Sequence, residues 1–359
     1  MTCRKMRAGG LLLLAITVLF SLLPAPASAQ AKTKVQIAWS IYVGWMPWPY
    51  AAEAGILKKW GDKYGVDIEL VQLDYIPSIE AYVGGKVAGC LMTNMEALDM
   101  PAAGGIDSTV IIMGDFSNGN DGVLLRGGTT VKDLKGKPVN LVELSVSHYL
   151  LVRALEQNQM KESDVKIVNT SDSDIAPTFL ADPKIPSIVT WNPLLMQARQ
   201  AKGANLVFDS SKIPGEIMDL MVVKTDVLQK NPGLAKALAG AWYETMTLMS
   251  AKGAATDKAI AAMAEKGGST LAEFKAQLET TQMYYKPADA SAFCKSDKLK
   301  TTMDSVRKFC ASHKLLGNNV SDPDVVGIAL PGGAVLGKKE NVKLRFTTEY
   351  MDMAAAGGL

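Results

Sequence analysis

The chain has 359 residues, with 38 Lys and Arg against 36 Asp and Glu, a formal net charge of +2. So even a balance argues against nucleic acid as a partner, since its binders carry a concentrated basic face. Two histidines leave little from which to build a His-based zinc site or a Ser-His-Asp centre.

The first residues read MTCRKMRAGG, then LLLLAITVLFSLLP, then APASAQA. A basic start, an apolar run too short to span a bilayer and an Ala27-Ser28-Ala29 site predict a signal peptide over residues 1–29. Cys3 precedes the apolar run, so it is not placed to carry a lipid after cleavage. The expected location is the periplasm. Cleavage removes three basic residues and no acidic ones, leaving 35 against 36 and a net charge of −1. The remaining length suits two domains.

Residues 35–39 read as a strand, and the stretch WSIYVGWMPWPY follows at 39–50. Loops between strand and helix are normally polar. This one holds three of the six Trp and two prolines. Its rings either fill a core seam or form the wall of a cleft, and the second reading fits a position at the carboxyl end of a strand. Helix 50–64, strand 66–73, helix 76–84, strand 89–92, helix 95–103 and strand 108–114 then alternate. That series predicts a mostly parallel sheet with helical crossovers.

A polar stretch, DFSNGNDG at 115–122, leads into a second α/β series. It comprises strands 138–143, 165–169, 187–191 and 205–208, with helices 146–157, 176–180 and 193–201. The apolar run MDLMVVK at 218–224 looks like a return crossing. From residue 226 the pattern is helical (232–251, 256–266, 270–281, 296–314), then glycine-rich at 327–337, then strand-like at 342–350. Cys294 and Cys310 bracket a helical pattern whose ends would lie about 20 Å apart at 1.5 Å per residue. A disulfide needs Cα atoms within about 7 Å, so these two are expected not to pair. Cys90 reads as a buried small hydrophobe. Two α/β lobes joined by two crossings, with a helical C-terminal region, describe a clamshell that closes around a ligand.

The strand ends carry the chemistry. The first lobe offers Trp39, then Asp74, then Thr93 and Asn94, then Asp115, with Tyr42 and Trp45 in the aromatic stretch. The second offers Glu143 and Ser145, then Asp172, then Trp191 and Asn192. Each also suits a cap or turn role, and Ser145, Asp172 and Asn192 do so especially. As a set they are acidic and aromatic, with no Lys or Arg among them. An anion site would be expected to show a cation or a free helix N-terminus. Carboxylates beside aromatic faces fit a planar cation or a urea-like donor.

The motifs WSIYVGWMPWPY, KWGDKYGVDIEL, TNMEAL, GDFSNGNDG and VELSVSHYLL resemble those of periplasmic solute-binding proteins of the nitrate/sulfonate/taurine type. They are most similar to the branch labelled urea-carboxylase-related, whose transporters are linked with guanidine uptake. The resemblance covers most of residues 33–330. It implies a type II periplasmic-binding-protein clamshell, with a discontinuous first lobe (30–122 plus 222–359) and a continuous second (123–221). It also implies a monomeric receptor, without cofactor or metal, that hands a small molecule to a membrane ABC permease. The expected ligand is guanidine or a close relative, with an anion of the nitrate, sulfonate or taurine type as the alternative. The clamshell also resembles a thiamine-pyrimidine synthase family, but the cysteine-rich motif of that enzyme is absent.

Overall fold

The computed structural model describes residues 1–2, 32–317 and 320–359, so nearly all of the expected leader lies outside the described residues. Residues 32–359 form one compact unit. Its strands, in chain order, are β1 (Thr33–Trp39), β2 (Val66–Gln72), β3 (Gly89–Thr93), β4 (Ser108–Ser117), β5 (Asp121–Arg126), β6 (Pro138–Leu141) and β7 (Lys166–Asn169). The rest are β8 (Ser187–Trp191), β9 (Ala204–Asp209), β10 (Met218–Lys224), β11 (Thr281–Met283), β12 (Gly327–Ala329), β13 (Val335–Leu336) and β14 (Val342–Phe346).

They fall into two sheets. The first runs β13-β12-β14-β4-β10-β3-β1-β2, with β11 added on β4, and the second runs β7-β6-β8-β5-β9. Strands β1, β2 and β3 are parallel, as are β6, β7 and β8. Strand β10 is antiparallel to both β3 and β4, and β5 to both β8 and β9. Each sheet with its helices is a lobe, and the chain crosses between them after β4 and after β9.

Burial explains the sequence texture. Strands β3 and β8 are buried at every residue, as expected of parallel strands covered by helices on both faces. The run 218–224, read above as a crossing, is the central antiparallel strand of the first sheet, which accounts for its apolar character. The aromatic stretch is not one loop. It forms a single 3-10 turn over Val43–Trp45 and a helix over Pro47–Glu53 that opens on proline, a residue suited to a first turn. Gly55, at φ 74°, separates that helix from the next, Ile56–Tyr64, so the 50–64 pattern is two helices.

Trp48 stacks on Trp242 of the long helix Leu234–Ser250, ring centroids 5.1 Å apart, and both are buried. That half of the aromatic stretch is core. The helix Asp297–Ser312 is continuous, and Cys294 and Cys310 are free and buried. Cys90 is fully buried, and burial pushes its thiol up to about 12.

Candidate functional site

Strand β10 brings the acidic groups together. Its Asp219 stands opposite Thr93 of β3 on one side and Asp115 of β4 on the other. A charge in the middle of a buried sheet requires compensation. Tyr42 donates its hydroxyl to Asp115 Oδ1 at 2.8 Å, while Asp115 Oδ2 and Asp219 Oδ2 are buried with no protein donor. Gly44 makes this approach possible, because a Cβ there would collide with the Asp115 carboxyl and the Tyr42 ring. A third carboxyl, Asp121, begins β5 and accepts from Ser117 Oγ at 2.5 Å.

Aromatic rings wall the space above these acids. Tyr42 meets Trp45 edge-on at 5.1 Å, Trp45 meets Tyr75 at 5.7 Å, and Tyr75 meets Trp191 edge-on at 5.7 Å. Tyr42, Trp45 and Tyr75 belong to the first lobe and Trp191 to the second, so the cage is complete only with the lobes together. Trp191 Nε1 also donates to the Ile41 carbonyl at 3.3 Å across the cleft. The space between the rings is tight, with about 20 Å³ open to the centre of a water-sized molecule, and is lined by Tyr42, Trp45, Tyr75, Thr93, Asp121, Val146, Trp191, Ile217 and Asp219. Its lining is aromatic and acidic with no cation.

Burial sets the electrostatics. It pushes Asp115 and Asp121 up to about 7 each, partly offset at Asp115 by the Tyr42 hydrogen bond. Asp219 is raised well above the carboxylate range, first by burial and then by the charges of Asp115 and Asp121. Tyr42 and Tyr75 are raised for the same first reason. The cavity therefore favours protonated acids or a cationic guest.

Two helices that begin at the cleft each donate an N–H to a carboxylate. Val146, first residue of the helix Val146–Gln157, donates its N–H to Glu96 Oε1 at 2.9 Å. Tyr75, first residue of the helix Tyr75–Val83, donates its N–H to Asp172 Oδ2 at 3.2 Å. Each donor is thus taken by a carboxylate of the opposite lobe, a poor setting for a bound anion.

The residues singled out in the sequence divide into groups. Tyr42, Trp45, Thr93 and Trp191 line the cavity, and Asp115 backs it through Tyr42. Asp74, Glu143 and Asp172 come together, but in an outer groove of about 420 Å³ rather than in the cavity. They follow their strands by two or three residues, far enough for Asp74 and Glu143 to be exposed and for Asp172 to be half-buried. Trp39 is buried in the core and does not line the cavity.

Asn94 is consumed by backbone, taking the Met218 N–H at 2.9 Å and donating to the Glu216 carbonyl at 3.2 Å. Ser145 caps its helix by accepting from Ser147 N at 3.1 Å. Asn192 caps with its Oδ1 on Met196 N and reaches Thr280 with its amide. Tyr75, Asp121, Val146, Ile217 and Asp219 were not anticipated. One signal was available for Asp219, which is the lone acid inside the apolar run 218–224.

A histidine cluster lies away from the cavity. Glu162 accepts from His148 Nε2 at 3.0 Å and from His313 Nε2 at 2.8 Å. Their ligand atoms are close enough together to hold a metal ion. However, His148 Nδ1 accepts the Leu144 N–H at 3.2 Å. Its proton therefore sits on Nε2, toward Glu162, where a metal would need a lone pair. The cluster is a hydrogen-bonded tie between the second lobe and the end of the helix Asp297–Ser312. His148 itself is structural.

Comparison with known proteins supports this fold. Residues 123–254 match the family described as NMT1/THI5 like. No curated protein matches the sequence. The periplasmic aliphatic sulphonate binding protein SsuA from Escherichia coli aligns over 80% of this chain and 95% of its own, with 18% identity and a TM-score of 0.64. SsuA from Xanthomonas axonopodis pv. citri, an alkanesulfonate-binding protein solved with MOPS, aligns over 80% and 96%, with 16% identity and a TM-score of 0.63. The desulfurization enzyme DSZB aligns over 81% and 95%, with 15% identity and a TM-score of 0.57. The chain has the bilobal fold of periplasmic binding proteins. Among the described residues, no helix is long and apolar enough to cross a membrane.

Proposed function

We propose that this protein is the extracytoplasmic receptor of an ABC importer and captures a small planar nitrogen cation, guanidinium or a close relative, between its lobes. The observation that carries the reading is the cavity itself: four aromatic rings over Asp219 and Asp121, backed by Asp115, with no Lys, Arg or His in the lining. Carboxylates satisfy the in-plane N–H groups of such a ligand, and ring faces accept its diffuse charge. The assignment of Tyr42, Trp45, Tyr75, Asp121, Trp191 and Asp219 as ligand contacts belongs to this proposal, as do export through a cleaved leader and delivery as a monomer to a membrane permease.

A second reading is an anion receptor. The sulfonate-binding names of the structural neighbours speak for it rather than for guanidine or urea. It would require a sulfonate to sit among buried carboxyls, with the Val146 and Tyr75 N–H groups already donated to Glu96 and Asp172. A thermal-shift panel of guanidinium, urea, taurine and nitrate separates the two. Stabilisation by guanidinium alone is expected, and stabilisation by taurine or nitrate alone would favour the anion.

A further inference from the structure

Glu96 is fully buried, on the short helix that leaves the carboxyl end of β3. Its partners come from both sides of the cleft. Thr93 Oγ1 donates to it from the first lobe, and the Val146 N–H donates from the second at 2.9 Å. Both of those residues line the cavity. The Tyr75 hydroxyl, which also lines it, accepts from Thr93 N at 3.1 Å, so Glu96, Thr93 and Tyr75 are linked through Thr93. A reciprocal contact runs the other way, from Tyr75 N to Asp172 Oδ2 at 3.2 Å.

We propose that Glu96 is a positioning residue that couples capture in the cavity to closure of the lobes. It holds Tyr75 and Thr93 as the floor of the site and clasps the N-terminus of the Val146–Gln157 helix only when the lobes meet. The contact is directional. A carboxylate at a helix N-terminus gains both the orphan N–H and the helix dipole, and separating the lobes removes both at once. A ligand that presses on Tyr75 and Thr93 fixes the acceptor, so the second lobe finds its partner already aimed. The inference rests on the receptor reading above but not on the charge of the ligand.

Spin labels at two exposed positions, Lys58 on the first lobe and Lys132 on the second, report lobe separation (K58C, K132C). Distance distributions are compared for the otherwise unchanged protein, Glu96→Ala, Glu96→Gln and Val146→Pro, with and without guanidinium, alongside stopped-flow release. Val146→Pro deletes the N–H donor at a first helical position, where proline is tolerated, so it tests the clasp even if Glu96→Ala fails to fold. With Glu96→Ala and Val146→Pro, the closed distance is expected to lose population and release to speed up tenfold or more, with association within about twofold. Glu96→Gln, which keeps an acceptor oxygen, restores most of the closed population. If Val146→Pro closes like the parent and releases ligand at the same rate, the clasp is overturned. Should guanidinium fail to bind the parent at all, the ligand reading falls. The clasp is then judged on the ligand-free distributions, where Val146→Pro must still shift toward the open distance.

Discussion

Asp115 and Asp219 stand opposite each other on neighbouring antiparallel strands, both buried, with the Tyr42 hydroxyl donated to the first at 2.8 Å. Two acids in one water-poor place cannot both ionise freely, and a third, Asp121, adds to the field. A cationic guest would resolve that conflict, and the consequences are measurable.

The first concerns pH and the ligand-free protein. Burial raises Asp115 and Asp121 from the ordinary carboxylate range to about 7. Between about pH 4 and pH 7 the unfolded chain has released these protons while the folded chain holds them. Stability therefore falls as pH rises through that window, by up to on the order of 4 kcal/mol for each group. Denaturant unfolding between pH 4.5 and pH 8 checks this. Asp115→Asn should flatten the profile, and a ligand-free protein that gains stability toward pH 8 would contradict the assignment.

Ligand affinity should run the opposite way. A cation binds the ionised acids, so guanidinium affinity is expected to rise from pH 6 to pH 8. Calorimetric titration in buffers of different ionisation enthalpy should reveal proton release on binding, and no proton release at pH 6.5 would count against the role of these acids.

The cavity and the outer groove should separate by mutation. Asp219→Asn and Asp121→Asn are expected to weaken guanidinium binding by about 2–5 kcal/mol, roughly 30-fold or more. Asp74→Asn and Glu143→Gln, which line the outer groove, should stay within about threefold. Equal losses at both sets would mean that the ligand sits outside the enclosed cavity.

The tryptophans should divide in the same manner. Trp242→Ala removes the partner of Trp48 and is expected to cost about 3–5 kcal/mol of stability. Trp191→Ala should weaken cation binding about tenfold with a smaller effect on unfolding, as the loss of one cage wall predicts. Unfolding and binding curves for the two variants check the contrast.

The alternation of strands and helices was legible because parallel strands buried on both faces read as short apolar runs between amphipathic helices. Part of the cavity lining was legible too, in the rings of Tyr42, Trp45 and Trp191, with Asp115 behind Tyr42. What escaped was register. Whether an acid just past a strand faces the cavity depends on where the strand ends, and Asp74, Glu143 and Asp172 line the outer groove instead. Asp219 escaped because an antiparallel strand threaded between β3 and β4 looks, in sequence, like an apolar connector. Glu96 escaped because one of its donors, the Val146 N–H, comes from the other lobe, a relationship no local pattern records.

The central claim is tested most directly by calorimetric titration of guanidinium, urea, taurine and nitrate into the purified protein at pH 8. Saturable one-to-one binding of guanidinium, weaker binding of urea, and no heat from taurine or nitrate is the predicted result. Saturable binding of taurine or nitrate with guanidinium silent would contradict it.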